Sequence, residues 1–457
     1  MARVGEVIGA LRALKALDVD PSTGRLFTYI YETGLEELRE VTRRAFELFL
    51  DTNALDPTVF RSAMALEREV VGFAKSLVGA GEEVVGTATY GGTESIMLAV
   101  KAARWAYRRR AGAASVGEVL LPVTGHPSIR KAAHYLDMRA VDVPVDPETK
   151  KVDVEALKER VSGRTALIVV SAPNFPYGTI DPVRDVAEYA ADKGVPVHVD
   201  ACLGGYVLPF MRELGEPVPP FGFEVEGVSS LSMDVHKYGY APKGVSVLLF
   251  RTGEYKEGTI YVDLGWPGYP FINTTVLSSR SVAPLAAAWA VAKYLGREGY
   301  LELTRRLLEA RARILRGLGE LGFESVAPVE SPLLALTLPS EEELFKFYAN
   351  MALRGWVMGL QPRVEGVAPY NVHLTLSPIH ERVAGEFLGD AREALESPPP
   401  PELEQALKAL EAGPLEAASM IGRGPLDSIL IAKLLESIPP GEAEDLARKL
   451  VVEVFRV

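Results

Sequence analysis

The sequence predicts an α/β protein: a mostly parallel central sheet with helices on both faces, plus a smaller C-terminal α+β domain. Three observations predict it. Short β-branched runs recur between residues 60 and 250. Helical patterns of roughly 10–17 residues separate them, the spacing of βαβ units. After residue 280 the pattern changes to long helices with only two strand candidates.

The elements follow in order. A helix is expected over 35–50, within an N-terminal segment 1–60 that also carries aromatic and turn residues. In the large domain, 61–280, Ser62–Leu77 reads as a helix, a short strand precedes Tyr90, and Glu94–Arg110 reads as a long helix. Strands EVLLPV (118–123), AVDVPV (140–145), ALIVVS (166–171) and VPVHVD (195–200) alternate with helices at 127–137, 153–161 and 182–193. VSSLS (228–232) and VSVLLF (245–250) complete the sheet. The small domain, 281–396, opens with Ala-rich helices at 283–296 and 300–319 and has strands at 333–338 and 371–376. The run SPPPP (397–401) is a rigid break, and a helical tail occupies 397–457.

Composition excludes several classes. With 48% hydrophobic and 24% charged residues, the chain is neither disordered nor fibrous. One cysteine forms neither an internal disulfide nor a Cys-based zinc cage. A net charge of −12 gives no basic field for nucleic acid. No secretory leader pattern opens the chain, and no apolar run approaches the ~18 residues of a membrane span, so a soluble cytoplasmic protein is expected. Five Asn, two Gln and more Arg than Lys suggest a heat-adapted source, although a GC-rich genome gives a similar bias.

In an open parallel sheet, ligands bind beyond the carboxyl ends of the strands. Four groups of reactive residues fall there. Tyr90-Gly91-Gly92-Thr93 joins a strand to a helix start, where backbone N–H groups suit a phosphate; an N-cap with a flexible turn is the plainer reading. His126 follows the strand 118–123 and can stack on a flat ring or move protons, or simply cap a helix. His198-Val199-Asp200 ends the strand 195–200. A carboxylate on a strand tip is costly without a cation, and a protonated ring nitrogen would supply one. His198 and Asp200 lack a third ligand nearby for a metal, and Cys202 reads as a small buried filler. Last, His236-Lys237 sits in a glycine-ended turn, where burial is expected to lower the lysine pKa and free its amine to form an imine. Together these supply a phosphate cradle, a stacking imidazole, an anion and an amine, the set that pyridoxal 5′-phosphate requires.

The strings GTATYGGTESIMLAVKAAR, HPSIRKAA, SAPNFPYGTIDPV, HVDACLGGYVLPFM and SMDVHKYGYAPKGVSVLLF resemble the sphingosine-1-phosphate lyase group. That group lies within the group II pyridoxal-phosphate-dependent decarboxylases, of aspartate-aminotransferase-like fold (fold type I). The likeness runs in order over roughly 25–395, and HVDACLGG and DVHKYGYAPKG are its specific strings. It implies that Lys237 binds the cofactor covalently and Asp200 keeps the ring nitrogen protonated. His126 and Ala201 would cover the two ring faces, and Gly91, Gly92, Thr93 and His236 would hold the phosphate. Ser278, Ser279 and Arg280 would reach the partner subunit's cofactor, implying a homodimer with shared sites. Lys243 would be a substrate-side cation or proton-transfer residue, and Asn53 and Tyr29 or Tyr31 would face the substrate.

Two departures stand out. Where the lyases carry NPLHP, this chain has Asn53-Ala54-Leu55-Asp56-Pro57, so the position tied to the substrate phosphate holds a carboxylate. Like charge there argues against sphingoid phosphates. The family's SRPG segment also reads SSRS. The expected function is therefore a carbon–carbon lyase acting on an amine and releasing an aldehyde. The alternative is an amino-acid decarboxylase using the same site. A dinucleotide binder is disfavoured, because Gly79-Ala80-Gly81 lacks the third glycine and follows a helix instead of a strand. An interaction protein with degenerate chemistry is disfavoured by Lys237, Asp200 and His126 occurring together.

Overall fold

The computed structural model describes residues 2–454 apart from 414, 415, 418, 419, 422, 423 and 425. Seven strands form the main sheet: β1 (Val85–Thr89), β2 (Glu118–Pro122), β3 (Arg139–Val143), β4 (Thr165–Ser171), β5 (Val197–Asp200), β6 (Val228–Met233) and β7 (Ser246–Phe250). They lie in the order β1-β7-β6-β5-β4-β2-β3. β7 is antiparallel to both neighbours, and the remaining pairings are parallel. Six carboxyl ends therefore share one edge of the sheet, joined there by the amino end of β7.

Apolar runs form β2, β4 and β7 because both faces are buried. In β4, Leu167 and Val169 pack under helix Gly92–Ala111, against Ile96, Val100 and Ile129. Ile168 and Val170 face the other way, toward Val186 and Ala190 of helix Val183–Asp192. A one-residue register slip would exchange the two sets, so the packing fixes which residue of each strand points where.

The smaller sheet has order β10-β11-β13-β12, from β10 (Glu324–Ser325), β11 (Leu333–Thr337), β12 (Gly359–Gln361) and β13 (Asn371–Thr375). β10 and β12 are too short to have been legible. Between the sheets lies a hairpin of β8 (Tyr261–Asp263) and β9 (Phe271–Asn273). The two expected helices after residue 283 are joined end to end as Ala283–Glu320, broken at Gly296, whose φ of 55° only glycine adopts readily. The first helix, Val4–Lys15, was not foreseen and buries none of its residues. Helices Pro401–Ala412, Asp427–Ser437 and Pro440–Val454 make up the described part of the tail; 455–457 lie outside the described residues. No described helix is long and apolar enough to cross a membrane.

Three histidines are buried in this frame. His198, His373 and His380 are each held by burial at about 4, against 6.5 for the free side chain. Their folded pKa values are depressed, so their stabilising effect is complete above pH 6.5 and lost as pH falls toward 4. Asp181, pushed up to about 6 by burial, acts oppositely: its effect is complete below about 4 and lost as pH rises through 6. Three imidazoles outweigh one carboxyl. Stability should fall by several kcal/mol, in order of magnitude, between pH 6.5 and 4.5. A urea midpoint that stayed flat over that range would refute this.

Candidate active site

The site grows from the shared strand edge. Thr89 ends β1, and the turn Tyr90–Gly92 leads directly into helix Gly92–Ala111. Gly92 is there for space. A Cβ at that position would lie 2.8 Å from both Asp234 carboxylate oxygens and from Cys202 Sγ. The helix start is thereby free to approach a ligand, with its first N–H groups unpaired within the helix. Gly92→Ala should weaken cofactor binding at least about tenfold and cost about 1–3 kcal/mol of stability, as overpacking does. Cofactor titration and thermal melting check both.

Beyond β2, His126 caps helix Pro127–Tyr135. Its Nδ1 accepts from the Ser128 N–H at 3.2 Å and lies 2.7 Å from Ser128 Oγ. A nitrogen that accepts a backbone N–H carries no proton, so the proton of the neutral ring is on Nε2. Burial holds this imidazole below its usual pKa. At the end of β5, Asp200 is 7% exposed, and its Oδ1 accepts from the Cys202 N–H at 3.1 Å. His198, on the same face of β5, is enclosed by Ser230 Oγ at 2.8 Å and Ser232 Oγ at 3.1 Å. Among the described residues no group of three or more His, Cys, Asp or Glu is placed to hold a metal. Cys202 lies against Ser232 Oγ at 3.4 Å, and burial raises its thiol pKa well above the usual value.

The turn after β6 carries Lys237. Tyr238 OH donates to Leu376 O at 2.8 Å, and Tyr300 OH donates to Gly239 O at 3.0 Å. The turn is thus pinned to the small domain and to the long helix. Lys237 Nζ lies 3.1 Å from Asp234 Oδ2, and His236 Nε2 lies 3.5 Å from the same oxygen. Asp234 is the residue sequence reasoning missed. It is 2% exposed, and its other oxygen, Oδ1, is buried without a hydrogen-bond partner. The sequence expectation for Lys237 is corrected here. Burial is the largest single influence and lowers its pKa, but the surrounding acidic groups, Asp234 first among them, together outweigh burial and raise it. The amine of the free chain is an ammonium paired with Asp234.

These groups line one cavity of about 880 Å³: Gly91–Thr93, His126, Asp200, His236, Lys237 and Lys243. Ala201, the expected second ring cover, is fully buried behind Asp200 and does not line it. Tyr29 and Tyr31 both border the cavity. Tyr31 sits inside, its ring edge-on to Tyr238 and 5.2 Å from Lys243 Nζ, with its hydroxyl pushed up to about 12 by burial. Tyr29 is on the rim, 74% exposed. Lys243 is on the exposed side, and burial together with the Lys237 charge lowers its pKa.

Three expected residues are not brought into this cavity by the single chain. Asn53 pairs with Ser281 through the backbone, and its Oδ1 accepts from the Leu55 N–H at 2.8 Å. Asp56 is exposed, accepting from Thr58 N–H at 2.8 Å and Thr58 Oγ1 at 2.6 Å. Ser279 is exposed beside Arg280, whose guanidinium donates to Ala88 O at 2.8 Å.

The pyridoxal-dependent decarboxylase conserved domain matches residues 54–337. A sphingosine-1-phosphate lyase of Arabidopsis thaliana is 37% identical over 361 residues, 78% of this chain; the match spans 65% of that protein. A probable L-tyrosine/L-aspartate decarboxylase of Methanothermobacter thermautotrophicus is 34% identical over 304 residues, 66% of this chain and 80% of the relative. Among solved structures, a sphingosine-1-phosphate lyase of Burkholderia pseudomallei is similar with a TM-score of 0.81 and 29% identity, over 90% of this chain and 95% of that one.

Proposed function

The chain belongs to the pyridoxal-dependent decarboxylase family, and from that premise we propose that it is a pyridoxal 5′-phosphate-dependent carbon–carbon lyase acting on a primary amine. The observation that carries this reading is the convergence of Lys237, Asp200, His126 and the Gly91–Thr93 turn on one cavity. The residues fit the cofactor. Gly92 leaves space that a Cβ would fill, and the buried, unpartnered Asp234 Oδ1 is a free acceptor beside it.

When bound, the cofactor supplies an aldehyde for the substrate amine and a ring that takes up the electron pair of the broken bond. The chain does the rest. Lys237 Nζ would hold the cofactor and is placed to move a proton within the cavity, and Asp200 would face the ring nitrogen and favour its protonated form. His126 would cover one ring face, and the first N–H groups of helix Gly92–Ala111, with Thr93 and His236, would hold the phosphate. Asp234, whose pKa burial raises but its neighbours, Lys237 first among them, together lower, would keep the Lys237 side chain aimed into the cavity. Tyr31 and Phe175 help close the cavity to water.

For a β-hydroxy amine the bond broken is Cα–Cβ, and an aldehyde leaves. A second reading, loss of carbon dioxide from an amino acid, would use the same site; Asp56, in the segment where the lyases bring a histidine to phosphate, weakens the phosphate-specific version of the first. The deciding experiment offers β-hydroxy amines, their phosphates, and aromatic and acidic amino acids, and identifies products by mass spectrometry. Release of aldehyde supports lysis, and release of carbon dioxide alone overturns it. Asp56→His should improve phosphorylated substrates relative to carboxylate ones; equal or worse kinetics would remove the charge argument.

Two copies would share their sites, Ser279 and Asp56 of each reaching the other's cavity. Exposed Leu11 and Leu14 on the first helix, and Leu264 and Ile272 on the hairpin, offer apolar surface for such an interface. Sedimentation should give a dimer. Mixing inactive Lys237→Ala chains with inactive Ser279→Arg chains should restore turnover if sites are shared.

A further inference from the structure

We propose that Glu94 is a positioning residue that ties the loop ahead of Ser278 across the mouth of the cofactor cavity, so that Val276 and Leu277 form an apolar wall against the substrate. The inference deepens the function proposed above and rests on that cavity being the reaction site. Glu94 lies in the first turn of its helix, where an acid ordinarily does no more than answer the helix's positive end. Here it is only 9% exposed. Its Oε2 accepts from the Tyr90 N–H at 2.5 Å, within the turn that would hold the cofactor phosphate. Its Oε1 accepts from the Val276 N–H at 2.6 Å and lies 3.4 Å from the Leu277 nitrogen.

One charged acceptor thus joins two segments separated by 182 residues of sequence. Hydrogen bonds to an ionised acceptor are the strong kind. Residues 274–280 belong to no helix or strand, so side chains hold them in place. Arg280 donates to Ala88 O and fixes the far end of the loop beside the same turn. At the first of these ties, Val276 and Leu277 border the cavity, which also has Met97, Phe175 and Leu203 in its lining. Branched aliphatic side chains there favour a substrate with an apolar body, because apolar contact grows with each methylene removed from water.

The test uses the holoenzyme with Glu94→Ala and Glu94→Gln. Kinetics are measured on primary amines of the active substrate class with increasing alkyl length, and hydrogen exchange is followed at amides 276 and 277. Glu94→Ala should speed exchange at those two amides and retain the cofactor absorbance band. Its KM should rise at least about tenfold more for long alkyl substrates than for short ones. Glu94→Gln keeps one acceptor oxygen for Val276 and should recover most of both effects. Unchanged exchange in Glu94→Ala, or a KM increase independent of alkyl length, would overturn the proposal. A wild-type enzyme that turns over no amine would sink the proposed function instead, and the exchange measurement would still decide whether Glu94 holds the loop.

Discussion

Lys237→Ala should abolish the covalent link to the cofactor and lower turnover by about 10⁴-fold, the upper range for one proton-moving group. The size follows from the double duty proposed for it. The same Nζ would anchor the cofactor and lie where protons must be moved. Its partner Asp234, 3.1 Å away, is left as a buried carboxylate facing one cation fewer, so the variant should also be less stable. The wild-type protein should be yellow, with a band near about 420 nm as an imine of this cofactor gives. Borohydride reduction followed by peptide mapping should label Lys237. A label on another lysine would remove the residue from its role.

Asp200→Asn gives the second large effect, a fall in kcat of about 10²–10³-fold, comparable to removing one preorganised electrostatic contact. Asparagine keeps the shape and can still accept the Cys202 N–H, so cofactor binding should survive. What would be lost is the negative charge proposed to keep a proton on the ring nitrogen. A split in which cofactor affinity changes little while kcat collapses is the signature. Unchanged turnover would show that the ring needs no such proton.

How much of this was legible in the sequence depends on distance along the chain. β2 and β4 could be read because both faces are buried and the strands are apolar runs bounded by helices. The reactive residues at the strand ends could be read because the sheet rule puts them on one edge. The role of Asp234 could not. It stands in the same quoted string as Lys237, but a carboxylate after a strand looks like any turn residue until the turn folds Lys237 back onto it. The same omission reversed the expected pKa of Lys237: burial was legible and its counter-charge was not. Glu94 looks like an ordinary helix-start acid, because its second partner lies far along the chain. Helix Val4–Lys15 buries nothing in the single chain, so its apolar residues give no signal of a core.

The antiparallel β7 has a consequence for synthesis. β1 touches the sheet only through β7, pairing Val85 with Phe250 and Thr89 with Ser246. Strand β1 is made early by the ribosome, yet it has no strand to pair with until residue 250 has left the exit tunnel, although the helix that follows it can already pack on β4. Long-range pairing of this kind is slow to form. A shorter nascent chain therefore has both helices packed but leaves β1, which leads into the glycine turn, unpaired, and capture of the cofactor would wait for the last strand to close the edge.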